Sequence, residues 1–282
     1  MKSKFIVAGF ILILVAISGS AYANHAWGKY HWNLSTAQTE IAPLQIAKNI
    51  TPEWDASLTI AATDWNQSVL KNTVIIGTNN RATCTPTPGR IEVCNHTYGE
   101  NSWLGIAQVW AYRGKEAHIA QATTLLNDTY FSLPQYNTTA WRQMVMCQEV
   151  GHTFGLAHQD ENFNNTNLGS CMDYTSDPTG TLDTNGTSNN EHPNSHDFEM
   201  LKNIYAHLND ASGNVKGGGK GGSRQTPVST TEIDPASWGQ AVAQDAQGKD
   251  SLFVRNLDNG MQLITHVLWV PETHTTEDTH QH

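Results

Sequence analysis

Basic side chains are scarce in this sequence. Among its 282 residues, 16 are Lys or Arg and 26 are Asp or Glu, so the formal net charge is -10 at pH 7. Nucleic acids and anionic membranes attract positively charged surfaces, and this balance argues against both as partners. No phosphate-binding P-loop signature occurs either, so the Gly-rich stretch 213–224 is expected to be a flexible linker.

A hydrophobic run long enough to span a bilayer is also lacking. The apolar stretch 5–17 falls short of the roughly 20 residues that a transmembrane helix needs. It follows two lysines and precedes Ala21-Tyr22-Ala23, a pattern typical of a secretory signal with a small-residue cleavage site. We expect residues 1–23 to be removed near Asn24, which predicts a secreted protein with no stable membrane anchor. The alternative is an uncleaved anchor.

Cysteines are few, and none has the C-x-x-C spacing of a cysteine-rich zinc site. All four lie downstream of the predicted signal. An even number of cysteines in an oxidising compartment tends to pair, and four cysteines allow three pairings. We favour Cys84 with Cys94, which closes a short loop, and Cys147 with Cys171.

Apolar residues at spacings of three and four predict three amphipathic helices. The first follows Thr51-Pro52, an N-cap with proline at the first helical position. The second begins at Thr138 or Thr139. The faces of the three helices are formed by Trp54, Leu58, Ala61 and Trp65, by Trp141, Val145, Gln148 and His152, and by Phe198, Leu201, Tyr205 and Leu208.

Short β-type runs lie between the helices. They are 24–35, 73–77, Trp103–Tyr112 and 118–125. Strands interleaved with long helices indicate an α/β or α+β domain, which we place at residues 24–212. After the linker, runs 251–257 and 261–270 flank Asp258-Asn259-Gly260, a strong hairpin-turn signal. We therefore predict a small β appendage at 225–271 and a disordered, histidine-containing tail at 272–282.

The chemistry is concentrated at the end of the second helix. Gln148 and His152 continue its inward face, where an unpartnered polar group costs about 1–3 kcal/mol. Residues four apart on a helix can reach one metal ion together, and Glu149 lies beside them. Gly155 allows the chain to turn, which brings back His158 as a third ligand. Three ligands and a water form an open, catalytic zinc site.

This segment resembles the zinc motif of the metzincin peptidases, H-E-x-x-H-x-x-G-x-x-H. Glu149, His152, Gly155 and His158 match, whereas Gln148 replaces the first histidine, as in the gametolysin-like branch of the clan. Ser170-Cys171-Met172-Asp173-Tyr174 is similar to the methionine turn of astacins and serralysins. The motif coverage extends from Trp141 to Tyr174.

The resemblance implies an α+β fold with a twisted sheet, two long helices, a zinc cleft and a C-terminal subdomain ending in a helix. Met172 would form an apolar base beneath the zinc, and a substrate would lie antiparallel to an edge strand, here 118–125. Tyr174 would be either a catalytic hydroxyl or a packed side chain. Gln148 would either bind zinc or hydrogen-bond the water. Most members carry a latency prodomain, but the predicted sheet uses nearly all residues before the zinc helix.

The predicted function is hydrolysis of protein or peptide substrates by a zinc-activated water, with Glu149 as general base and then acid. We expect one zinc ion and a monomer. Calcium could bind the Asp- and Asn-rich stretch 160–183, although no residue is assigned to it. The alternative is a secreted binding protein that kept the metzincin-like fold and lost catalysis through the change at Gln148.

Overall fold

The structure is a computed structural model that describes residues 25–34, 43–115, 117–181, 188–206 and 230–271. The predicted signal 1–23, the linker 213–224 and the tail 272–282 lie outside the described residues. In the described ranges no helix is long and apolar enough to cross a membrane.

A mixed sheet forms most of the core, and the chain is α+β, as predicted. The sheet order is β3-β2-β4-β6-β5-β9-β8-β7, and β1 pairs with β6. Its strands are β1 (His31–Trp32), β2 (Leu44–Asn49), β3 (Asn72–Ile76), β4 (Arg90–His96), β5 (Trp103–Tyr112), β6 (His118–Asn127), β7 (Gln240–Gln244), β8 (Asp250–Asn256) and β9 (Met261–Trp269).

The sheet has a parallel half and an antiparallel half. β3, β2, β4 and β6 run parallel to one another, whereas the pairs β6–β5, β5–β9, β9–β8 and β8–β7 are antiparallel. The expectation that 118–125 forms an edge strand is wrong, because β6 pairs with β4 on one side and β5 on the other. Most of its residues are buried on both faces, as expected for an interior strand.

The helices are α1 (Asp55–Trp65), α2 (Asp128–Phe131), α3 (Thr139–Thr153) and α4 (Ser195–Ile204). The predicted face of the first helix is buried along its whole length. The Thr138 side chain caps α3 by accepting a hydrogen bond from the backbone N–H of Trp141, which confirms the predicted start. The long helices α1 and α3 pack together, and α3 also contacts β5, β6 and β9.

The C-terminal strands do not form a separate appendage. β9 pairs with β5 along its whole length, so β7, β8 and β9 extend the main sheet. The apolar pattern of β9 fits this position, because its residues from Leu263 to Trp269 are buried. The hairpin turn was predicted correctly, and Gly260 adopts the positive φ of 78° that such turns favour.

The opening strand is much shorter than predicted. Between residues 25 and 34 only β1 and an isolated bridge from Ala26 to Leu156 have β pairing. Gly28, with φ 61°, turns the chain between them. Trp32 packs through its side chain as well, because its indole N–H donates to the Thr153 carbonyl at the end of α3.

Both favoured cysteine pairs form disulfides. Cys84 is bonded to Cys94, and Cys147 of α3 is bonded to Cys171. Disulfides form and persist in oxidising compartments, so the pairs indicate an oxidising, extracellular-type environment.

Candidate metal centre

Helix α3 is fixed on several sides at the end that carries the motif. The Cys147–Cys171 disulfide ties it to the segment containing the methionine turn. The indole N–H of Trp65 donates to the Cys147 carbonyl at 3.1 Å, and that of Trp32 donates to the Thr153 carbonyl at 2.8 Å. Rigid anchoring of this kind holds the side chains of a site in one geometry.

Gly155 ends this helix in the way its position in the motif predicts. Its φ of 102° lies in the left-handed region that favours glycine, and its N–H donates to the His152 carbonyl. A Cβ at this position would collide with the backbone oxygen of Tyr30. The turn brings His158 back to His152, with their Nε2 atoms 2.9 Å apart.

A third histidine joins this pair from the far end of the chain. His266 of β9 stacks on His152 with ring centroids 4.0 Å apart. One nitrogen from each of His152, His158 and His266 lies within 4.8 Å of the others, and all three side chains are buried. Three convergent imidazoles form a set of donors suited to zinc.

The ring orientations also favour a cation. Nδ1 of His152 lies 2.8 Å from the Leu156 carbonyl, and Nδ1 of His158 lies 2.5 Å from a carboxylate oxygen of Glu161. Both acceptors place the proton on Nδ1, which leaves two Nε2 lone pairs facing each other. Two nitrogen ligands of a tetrahedral zinc would lie about 3.3 Å apart. The two rings therefore fit a metal after a shift of a few tenths of an ångström.

Further polar atoms of α3 and β9 are buried without hydrogen-bond partners. They include both carboxylate oxygens of Glu149, Oε1 of Gln148 and Nδ1 of His266. The Gln148 amide nitrogen donates to the Cys171 carbonyl at 2.8 Å, which fixes the side chain and leaves its oxygen free. Each such group costs about 1–3 kcal/mol unless a ligand or water satisfies it, so their concentration here points to a bound species.

Burial perturbs the acid–base properties of the site. It raises the pKa of Glu149 well above its usual range. Burial, with a smaller contribution from His266 and His158, lowers the pKa of His152 well below its usual range. Burial and then His158 lower the pKa of His266 in the same direction. These two imidazoles are therefore neutral at pH 7, the form that can bind a metal.

The methionine turn lies against α3. The Met172 sulfur lies beside Gly151, where an added Cβ would be 2.6 Å away. Gly151 thus allows the turn to approach the helix backbone closely. Tyr174 is a packed residue in this structure, because its buried hydroxyl donates to the Val267 carbonyl of β9 at 2.8 Å.

The site is enclosed. Glu149 is 0% exposed, and His152 and His266 are 1% and 2% exposed. The space beside His152 and His266 is a pocket of about 10 Å³, which is room for about one water molecule. A larger cavity of about 600 Å³ is lined by Lys29, His31 and His196 among others, and by none of the three clustered histidines.

Sequence reasoning missed two residues of this centre. His266 lies in an apolar strand over 100 residues from the motif, and the only signal was an isolated histidine within a run of buried residues. Glu161 lies three residues after His158 in a stretch predicted to be a solvated loop. In the described part of the chain, the histidine cluster is the one grouping of three potential ligands, so the calcium prediction gains no residues.

Comparison with known proteins assigns no family. No protein-family model matches the chain, and no curated protein matches it significantly. Function is therefore inferred from the chemistry of the site.

Proposed function

We propose that the protein is a secreted, zinc-dependent endopeptidase of the metzincin type. The observation that carries the proposal is the buried Glu149 carboxyl, which has no hydrogen-bond partner and lies on the same helix as His152, whose Nε2 atom faces that of His158. A purely structural site would not concentrate unsatisfied donors and acceptors in this way. A catalytic metal site needs these groups in this arrangement.

Each residue has a distinct role in this proposal. His152 and His158 hold the zinc through Nε2, and the free Gln148 oxygen is the third ligand. Bound zinc would supply Lewis acidity and lower the pKa of a water molecule. Glu149 accepts a proton from the water that attacks the scissile carbonyl carbon. As the C–N bond breaks, Glu149 passes that proton to the leaving amine nitrogen.

The surroundings of the site support the same reading. Two long helices, α1 and α3, pack against the sheet, and α4 follows the methionine turn. Met172 packs against Gly151 of α3. Tyr174 is given a positioning role, since its hydroxyl is bonded to β9. The two disulfides are in keeping with export through the predicted signal.

A second candidate is a metal-binding protein without catalysis. The enclosure of the site favours it, because structural zinc sites are closed whereas catalytic sites keep one position open. The retained Glu149 argues against it, since a buried carboxyl that does no chemistry only costs stability.

The test combines metal analysis with hydrolysis. We expect one zinc per mature chain by elemental analysis and loss of that zinc in His152→Ala. Because the site is enclosed, casein hydrolysis is measured on the intact chain and on a chain cut at a protease site inserted within 213–224. Hydrolysis that disappears in Glu149→Ala while zinc is retained supports the peptidase. Zinc binding with both forms inert would identify the binding protein instead.

A further inference from the structure

Strand β5 passes directly beside the proposed general base. A Cβ added at Gly105 would lie 2.6 Å from Oε1 of Glu149 and 2.8 Å from the Val145 side chain. A peptide whose scissile bond reaches Glu149 would therefore pass beside β5. The open backbone groups of a strand bind extended peptides by main-chain hydrogen bonds, so the edge of β5 not paired with β6 is the place for a substrate.

β9 holds that edge. It pairs antiparallel with β5 from Tyr112 opposite Met261 to Trp103 opposite Trp269. Such an antiparallel extended segment has the geometry that a bound peptide would adopt. In this structure a substrate cannot pair with β5 because another part of the same chain already does.

β9 also brings a metal-binding side chain into the site. His266 lies opposite Ala107 in the strand register, and its ring stacks on His152 at 4.0 Å. Together with His152, His158 and the proposed ligand Gln148 it would make four donors, the number that fills a tetrahedral zinc site. His266 would then take the position that the proposed reaction needs for water.

We propose that β9 occupies the edge of β5 at which a substrate would bind, and that His266 is the zinc ligand that closes the site in the intact chain. This inference rests on the proposed function. It assigns residues 230–271 to the restraint of activity. The pocket beside His152 and His266, about 10 Å³ in volume, is too small to admit a peptide, in agreement with a closed form.

Hydrogen bonds join β9 and its neighbour β8 to residues around the histidine cluster. The Tyr174 hydroxyl donates to the Val267 carbonyl at 2.8 Å, and the Ser251 hydroxyl of β8 donates to Glu161 at 2.9 Å. Glu161 also bonds His158, so the same carboxylate links the C-terminal strands to a zinc ligand. β9 is buried along most of its length, so its displacement would expose a large apolar surface.

The first experiment measures zinc affinity in the intact chain by competition with a chromophoric chelator. His266→Ala should weaken binding by at least about tenfold, because it removes a ligand rather than an outer contact. His96→Ala serves as the matched control, since His96 lies in β4 outside the cluster and should leave affinity unchanged. Unchanged affinity in a folded His266→Ala protein would overturn the assignment of His266.

The second experiment uses the chain cut within 213–224 and freed of its C-terminal part by size-exclusion chromatography. We expect the intact chain to be inert and the freed, zinc-loaded core to cleave casein. A synthetic peptide covering residues 250–271 should restore inhibition, and the same peptide with His266→Ala should inhibit at least about tenfold more weakly, because it lacks the zinc ligand.

The outcomes separate this inference from the proposed function. If the intact chain cleaves casein as fast as the freed core, the proposed peptidase activity stands and the proposal that β9 blocks substrate binding is overturned. A core that unfolds on separation, or parts that never separate, would show that β9 is a permanent part of the fold and would also overturn it. A folded, zinc-loaded core that is inert overturns the peptidase itself.

Discussion

Glu161 offers the sharpest test of the metal centre, because it acts on zinc only through His158. Its carboxylate lies 2.5 Å from Nδ1 of His158, and Nε2 of the same ring points at His152. Burial alone would raise the pKa of Glu161, but the charge and hydrogen bond of His158 and the bond from Ser251 lower it. The group is therefore an anion at pH 7, and it orients the ring and makes it a stronger donor.

The size of the effect follows from this arrangement. Replacing a carboxylate that bonds a metal-binding histidine lowers metal affinity by about 10–100-fold. That range corresponds to about 1.4–2.7 kcal/mol of binding free energy. Glu161→Gln keeps the shape and can still accept the Nδ1 proton, so we expect a loss near about tenfold, and Glu161→Ala should lie near the upper limit.

The assay is zinc competition with a chromophoric chelator at pH 7, with circular dichroism to show that the variants are folded. Ser251→Ala is the control, since it removes only the other hydrogen bond to Glu161. If Glu161→Ala binds zinc as tightly as the original chain while His158→Ala does not bind it, the carboxylate has no part in the centre and the reasoning is refuted.

Three further predictions test the zinc ligands, the methionine turn and the disulfide between Cys147 and Cys171. Gln148→His should raise zinc affinity, because imidazole is a stronger ligand than an amide oxygen; unchanged affinity by metal titration would place residue 148 outside the ligand set. Burial raises the pKa of Asp173 to about 7, so the folded state keeps a proton that the unfolded state loses. Compared with its value below about pH 4, the free energy of unfolding therefore falls by on the order of 4 kcal/mol as the pH rises towards 7. The Asp173→Asn variant should lack this loss when the free energy of unfolding is measured in urea between pH 4 and 8. The same pH dependence in the variant and the original chain would contradict the prediction. Replacing both Cys147 and Cys171 by alanine opens a loop of sequence separation 24 and should lower the free energy of unfolding by about 3 kcal/mol; equal urea midpoints for the two chains would count against stabilisation by the disulfide.

Local patterns predicted the elements that carry the motif. The spacing of Trp141 and Val145 predicted α3 and its inward face, and Thr138 marked its start. Gly155 predicted the turn that brings back His158, because only a residue that tolerates positive φ can follow the helix there. These features depend on hydrogen bonds and steric limits within a few residues, so a short stretch of sequence contains all the information.

The sheet was harder to predict than the helices. β2 and β4 were not recognised, and β4 includes Glu92 and Asn95, polar residues that are buried because partners on other elements satisfy them. No partner is visible from the sequence of a strand alone. For the same reason the hairpin at 251–270 was recognised but its place in the main sheet was not.

The sequence by itself determined α3, the turn at Gly155 and the approach of His158 to His152, because a helix end and a glycine turn depend on local geometry. Only the tertiary structure decided that His266 joins them and that the centre is enclosed. Strand pairing between β5 and β9 joins residues more than 140 positions apart, and the burial of the whole sheet selects that register.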